Sequence, residues 1–282
     1  MSTATPPRLV ATDLDGTLLR SDGTLSARTR AALAAAEGAG IRVVLVTGRP
    51  PRSVPELLAR TGPHTVISAN GAAVHHSDGT LAHTLPFPPR SAALLARRIR
   101  EAIPGTSFAV EYDTGYGHES AYPSWSYGGE SVEVVGPAGE LLAVDRPLLK
   151  ILAHHPTLPL DEFFAQAHRI AGPGAETTHS TGLSLVEFSA PGVTKATTLL
   201  SWSGRLGIDG LEIAAFGDMP NDLPMLTAVG HSYAVANAHP DVLATARHRA
   251  PSNDEDGVSR VLEGFVAAAA RVPAAGEAGQ GA

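Results

Sequence analysis

Short apolar runs alternate with amphipathic stretches at both ends of this chain. That rhythm restricts the fold more than any other feature, because strands separated by helices form βαβ units and a parallel α/β sheet. Leu9–Thr12 reads as the first strand, and 26–38 as a helix with Ser26 at its N-cap. The run 41–46 is apolar apart from Arg42, the pattern of a strand covered on both faces. A helix at 51–60 and a strand at 65–67 continue the alternation. Asn70-Gly71 then begins a turn, and Ser77-Asp78-Gly79 predicts a small hairpin between Ala73–His75 and Leu81–Thr84.

The rhythm breaks after Leu85, where Pro86, Pro88 and Pro89 form a stiff segment. Beyond it lie a helix at 91–102, strands at 108–112, 132–135 and 148–153, a helix at 160–170 and a strand at 183–188. This block reads as a separate α+β unit. From Thr194 the βα alternation returns, with a helix to about 206, strands at 211–216 and 232–235, a helix near Asp241 and a last helix at 256–270. The expected organisation is one parallel α/β unit made of 1–85 and 191–270, with an α+β insertion at 86–190. Residues 271–282, rich in Gly, Ala and Pro, are expected to be a disordered tail.

Composition excludes several function classes. With 43% hydrophobic and 17% charged residues the chain can bury real cores. A formal net charge of −7 argues against a general binder of nucleic acid or anionic membrane. No apolar run approaches the roughly 18 residues of a membrane span, and the first eight residues lack the apolar core of a secretory leader. A cytoplasmic protein, monomer or homodimer, is expected. The absence of cysteine removes disulfides, thiolate zinc sites and cysteine nucleophiles. Of the 21 basic residues, all but Lys150 and Lys195 are arginine. A lysine kept in such a chain calls for a local reason.

Four segments at strand ends or helix starts could carry chemistry. Asp13-Leu14-Asp15-Gly16-Thr17 follows the first strand, at the edge where open α/β sheets bind ligands. Read alone it is either an acidic turn or a pair of carboxylates facing one centre. Thr47, in Val46-Thr47-Gly48-Arg49, is by itself either a helix cap or a ligand. Lys195 sits in the first turn of a helix, where the dipole disfavours a cation by about 0.3–1 kcal/mol unless an anion or carboxylates compensate. A compact ammonium also fits a tight site that a guanidinium fork does not. Gly217-Asp218-Met219-Pro220-Asn221-Asp222 again follows an apolar strand. Four carboxylates converging there need a cation, and an oxygen-only ligand set suits Mg²⁺.

In this order the segments resemble the haloacid dehalogenase superfamily of phosphatases, in its Cof-like branch. The likeness rests on Asp13-Leu14-Asp15-Gly16-Thr17-Leu18-Leu19, Val46-Thr47-Gly48-Arg49, Ser68-Ala69-Asn70-Gly71-Ala72 and Gly192-Val193-Thr194-Lys195. It continues through Gly217 to Leu226, Ala236-Asn237-Ala238 and Asp256-Gly257-Val258. The resemblance implies a Rossmann-like parallel-sheet core with an inserted α+β cap, and a Mg²⁺-dependent phosphatase acting on a small phosphorylated metabolite. It further implies Asp13 as nucleophile, Asp15 as general acid and base, and Thr47 and Lys195 in the catalytic set. Metal would be held by Asp13, the Asp15 carbonyl and Asp218, with Asp222 bound through water or steadying Lys195. Phosphoryl oxygens would meet the Leu14 and Gly48 amides, Thr47, Lys195 and Asn221.

The insertion is expected to choose the leaving group. Tyr112, Tyr116, Tyr122, Trp125 and Tyr127 cluster in one short segment with His118-Glu119 between them. They form either a self-packed loop or a lid over the leaving-group pocket. Tyr112, Tyr116, His118 and Trp125 are the candidate substrate contacts there, with Arg49 and Asn70 reaching the same cleft from the core. His75-His76 and His154-His155 are poor chelates, because neighbours on a strand face opposite ways. Lys150, in an apolar strand, reads as a strand-edge residue or half of an internal ion pair. Two other readings compete: a phosphomutase or phosphotransferase, and a non-enzymatic phospho-acceptor. Asp15 and the insertion argue against the second.

Overall fold

A computed structural model describes residues 6–123, 133–179 and 184–271. The strands are β1 (Leu9–Thr12), β2 (Arg42–Val46), β3 (Thr65–Ser68), β4 (Ala73–His75), β5 (Leu81–Thr84), β6 (Ser107–Tyr112) and β7 (Tyr116–His118). They continue with β8 (Glu133–Val135), β9 (Leu148–His154), β10 (Glu176–Thr178), β11 (Leu185–Ser189), β12 (Ile213–Gly217), β13 (His231–Val235) and β14 (His248–Ala250). The helices are α1 (Ala27–Gly38), α2 (Val54–Thr61), α3 (Pro89–Ala102), α4 (Ala138–Leu141), α5 (Leu160–Ala171), α6 (Lys195–Arg205), α7 (Leu223–Ala228), α8 (Pro240–Thr245) and α9 (Gly257–Ala269).

One sheet runs β14-β13-β12-β1-β2-β3-β4-β5, parallel from β14 to β3 and antiparallel at the β4 and β5 edge. Its middle strands are buried on both faces under α1, α6, α7 and α9. This is why they read as continuous apolar runs rather than alternating ones. β1 is central, between β2 and β12, so the loops after these three strands open at one edge of the sheet.

The inserted segment forms a second sheet, β10-β11-β9-β6-β7-β8, antiparallel except between β7 and β8. One face is apolar. Phe108, Val110, Ile151 and Phe188 pack there with Leu95, Ile99 and Phe163 of α3 and α5. Burying each such side chain stabilises by about 1.5–3 kcal/mol. The opposite face of β6, β7, β9 and β11 looks toward the first sheet.

One expectation changes locally. The strand expected at 211–216 starts only at Ile213, because Asp209 and Glu212 cap each other's backbone and wind Gly210–Glu212 into a 3₁₀ turn. Leu211, read as a strand residue, is 72% exposed there. The three-residue strands β7, β10 and β14 are too short to carry a period. Trp125, Tyr127 and residues 272–282 of the tail expected at 271–282 lie outside the described residues. No helix among the described residues is long and apolar enough to cross a membrane.

Candidate active site

The carboxyl ends of β1, β2 and β12 deliver Asp13, Thr47 and Asp218 to one point. Lys195, the first residue of α6, reaches the same point from the side, its helix capped by Thr194 on the Thr197 amide. The ammonium is buried and donates to Asp13 Oδ1 at 2.6 Å and Asp222 Oδ1 at 2.7 Å. Those two carboxylates are the compensation its place on the helix dipole calls for. Burial works against its charge, yet Asp13 and Asp222 together hold Lys195 above the ordinary lysine range.

Asp222 does two jobs. Its second oxygen accepts the amides of Asp218 and Met219, each at 3.1 Å, and so folds the 218–222 turn about itself. Fully buried and bonded on both oxygens, it is placed to steady Lys195. Asp218 is held by the Thr17 hydroxyl, which donates to its Oδ1 at 2.7 Å. Gly16 passes beside it at φ +80°, and a Cβ there would lie 2.4 Å from Asp218 Oδ2. Gly16→Ala is expected to cost about 1–2 kcal/mol for the left-handed backbone alone. By displacing Asp218 it should also weaken divalent-ion binding several-fold. Thermal unfolding with and without Mg²⁺ measures both effects.

Carboxylate oxygens of Asp13, Asp218 and Asp222 lie within 4.8 Å of one another. One ammonium faces three buried acids, and the imbalance is visible in their protonation. Burial, with Asp222 and Asp218 beside it, pushes Asp13 well above the usual carboxylate range despite Lys195. Burial and then Asp222 raise Asp218 to about 6. A cation of hard oxygen preference would relieve both, so the residues present fit a divalent metal.

The sign of the pH dependence follows from that shift. Between the ordinary aspartate value of 3.8 and about 6, Asp218 keeps the metal-free folded protein more protonated than the unfolded chain. Its contribution to stability therefore falls as pH rises through that window. The rise in Tm on adding Mg²⁺ is expected to be larger at pH 7.5 than at pH 5, and equal shifts would contradict it.

Asp15 differs from the buried trio. Its side chain is 53% exposed and takes a two-point ion pair from Arg49, at 2.6 and 2.8 Å. Arg49 thus reaches the cleft, and does so through Asp15. Thr47 is buried, its hydroxyl accepting the Arg49 amide at 3.0 Å. Asn70 carries left-handed backbone angles, φ 56° and ψ 28°, after Ala69 at φ 51°. Its amide donates to the Thr47 carbonyl at 3.0 Å, and that of Ala69 to Arg49 at 2.8 Å, binding the two loops together. Asn221 Nδ2 donates to Asn70 Oδ1 at 3.3 Å.

The second sheet roofs this cleft. Ala109 and Glu111 of β6, Tyr116 of β7, Lys150 and Leu152 of β9, and Leu185 and Glu187 of β11 face Asp13, Asp15, Gly48 and Asn221 across it. Arg52, from the core, pairs with the buried Glu111 and stacks 4.7 Å from the Tyr116 ring. Tyr112 is a correction. The strand alternation that aims Glu111 at the cleft turns Tyr112 onto the apolar face, where its hydroxyl donates to the Leu141 carbonyl at 2.7 Å. His118 is stacked on Tyr116 at 5.7 Å and lies outside the cleft lining. Trp125 falls outside the described residues.

Lys150 lies on an inner strand of the roof, paired with Glu187 at 3.0 Å, so the ion pair is realised and the strand edge is not. Sequence reasoning passed over Glu111, Glu187 and Arg52. For Glu111 and Glu187 the available signal was a charge at the inward register of an otherwise apolar strand; Arg52, in the turn after β2, offered none.

The profile of the haloacid dehalogenase-like hydrolases matches residues 10–262. The chain is 30% identical, over 93% of its length and 98% of the relative's, to a 5-amino-6-(5-phospho-D-ribitylamino)uracil phosphatase of Bacillus subtilis. It is 27% identical, over 90% of its length and 97% of the relative's, to a pyridoxal phosphate phosphatase of Escherichia coli. A haloacid dehalogenase-like hydrolase from B. subtilis superposes with a TM-score of 0.78 at 27% identity, covering 91% of this chain and 99% of that one.

Proposed function

Since the chain belongs to the haloacid dehalogenase-like hydrolases and is a phosphatase of that superfamily, we propose that it is a Mg²⁺-dependent phosphatase hydrolysing the monoester of a ring-bearing small metabolite. The observation that carries this reading is Lys195 bridging Asp13 and Asp222, with Asp218 beside them at the floor of a roofed cleft.

Asp13, Asp218 and the Asp15 carbonyl are the residues that would hold the ion, with Asp222 steadying Lys195. Bound there, Mg²⁺ supplies positive charge to the phosphoryl oxygens. Asp13 attacks phosphorus in line, forming a carboxylate–phosphorus bond as the ester P–O bond breaks. Asp15, the member of the site open to the cleft, leaves its ion pair with Arg49 to take up the proton that it gives to the departing oxygen. It then takes one from water, which attacks phosphorus and frees Asp13 as inorganic phosphate leaves. The amides of Leu14 and Gly48, Thr47, Lys195 and Asn221 bind the phosphoryl oxygens.

The roof supports a leaving group of defined character. Next to Gly48 its charges are already paired; one pleat farther along β9 and β11 come Leu152 and Leu185, with Tyr122 and Ala109. A flat, partly apolar ring suits that end. The two substrates named for the relatives, a ribitylaminouracil phosphate and pyridoxal phosphate, have rings of this kind. Vitamin- and nucleotide-type phosphates are therefore favoured over bare sugar phosphates.

The test is a panel of pyridoxal phosphate, flavin mononucleotide, a ribitylaminopyrimidine phosphate, a nucleoside monophosphate and a hexose phosphate, with Mg²⁺ and with chelator. Free phosphate should appear only with metal. kcat/KM for the best ring-bearing ester should exceed that for the hexose phosphate by at least about tenfold, the scale of one well-filled apolar contact. Folded protein that hydrolyses none of these esters refutes the proposal.

A further inference from the structure

We propose that Lys150 and Glu187, on the roof of the cleft, are positioning residues for the phosphoryl site. They carry the seating of the cap into the two core loops that hold the phosphoryl group. This inference rests on the reading of Gly48 and Asn221 given above.

Lys150 Nζ crosses from the cap to the core and donates to the Gly48 carbonyl at 2.9 Å and to Glu187 Oε1 at 3.0 Å. The other Glu187 oxygen accepts from Asn70 Nδ2 at 2.7 Å, and Asn70 Oδ1 accepts from Asn221 Nδ2. One arm of the pair therefore ends on the peptide carrying Gly48, the other on the side chain of Asn221. Asn70 also closes the first arm, because a Cβ on Gly48 would lie 3.0 Å from its Oδ1. The loop at Gly48 is held between the ammonium above and the carboxamide beside it.

The chemistry explains why this position keeps a lysine in a chain of arginines. Both side chains are almost fully buried, and an ion pair so placed adds little stability over apolar residues of like size. Its value lies in direction. A point donor can serve one carbonyl and one carboxylate oxygen from a strand, where a planar fork would need both partners in its plane. Glu111 sits directly opposite Lys150 in the β6–β9 register and has its own partner in Arg52, so the charges on this face are matched across the cleft. Asn70 is held in its left-handed conformation by the Thr47 carbonyl below and Glu187 above, strain of the kind kept at working sites.

A residue that orients phosphoryl ligands acts on every ester alike, whereas a leaving-group contact acts on some. The experiment compares the full-length wild type with Lys150→Met and with the pair-removing Lys150→Met/Glu187→Met, in Mg²⁺. The substrates are p-nitrophenyl phosphate and the smaller ester glycerol 2-phosphate, with inorganic phosphate as product inhibitor. Lys150→Met is expected to lower kcat/KM by about 10–100-fold, the scale of groups that orient direct ligands. The factor should be equal on both esters, and the phosphate inhibition constant should rise several-fold.

The double variant removes both charges together, so it remains folded if the single one does not. Its loss should match the single variant's rather than multiply it. Unchanged kinetics in a folded variant overturn the inference, as does a loss confined to the bulkier ester. Wild type that hydrolyses neither these two nor any ester of the metabolite panel overturns the phosphatase reading, and this inference falls with it.

Discussion

Asp13→Asn is expected to abolish turnover, lowering kcat by about 10,000-fold or more, as loss of a nucleophile does. The protein should remain folded and continue to bind inorganic phosphate. Asp13 is buried beside Asp218 and Asp222 with one ammonium among them, so replacing its charge with an amide removes a like-charge contact. The metal-free variant should consequently be no less stable than the wild type, although Lys195 keeps only Asp222 as a charged partner. Steady-state hydrolysis measures the first effect, phosphate calorimetry the second and urea unfolding the third. Residual hydrolysis near the wild-type rate would sink the nucleophile assignment.

Lys195→Met carries the opposite balance. It leaves Asp13 and Asp222 buried without their shared cation, and breaking a buried pair from one side costs about 3–5 kcal/mol. Activity should fall below detection, and the urea midpoint should drop sharply in metal-free buffer. Mg²⁺ should return part of the stability, since it supplies charge to the same carboxylates. Lys195→Arg is not expected to rescue activity, because a guanidinium does not fit between two oxygens that an ammonium reaches at 2.6 and 2.7 Å. A midpoint unchanged in Lys195→Met would show that the pair is not electrostatically coupled to folding.

The residues at the floor of the site were legible because each one punctuates the chain. Asp13, Thr47 and Asp218 stand where an apolar strand stops, and Lys195 stands where a helix starts. Position along the chain nearly equals position in space at such points, so order alone brings the residues together. The roof offered no such punctuation. Glu111, Lys150 and Glu187 meet only through the register of β6, β9 and β11, in which Glu111 faces Lys150 and Glu187 faces Leu152. Register is set by the whole sheet and a one-residue slip inverts it. That also explains Tyr112, one residue from Glu111 and on the wrong face for the cleft. Lys150 was visible as an oddity of composition, but its partner on the Gly48 carbonyl belongs to another sheet.

The central place of β1 has a consequence for the order of events at the ribosome. Leu9–Thr12 emerges long before Ile213–Gly217, with which one of its two edges pairs. At about 5–20 residues per second, roughly 10–40 s of synthesis separate the two strands. Throughout that interval β1 has an unmatched edge of backbone donors and acceptors, and the loop after it lacks Asp218 and Lys195. The nascent chain can complete its inserted sheet first, from contiguous sequence, while the half-built parallel sheet waits with an edge open to wrong pairing. The late arrival of β12 therefore closes the open edge of β1 and brings Asp218 and Asp222 to Asp13 in a single event.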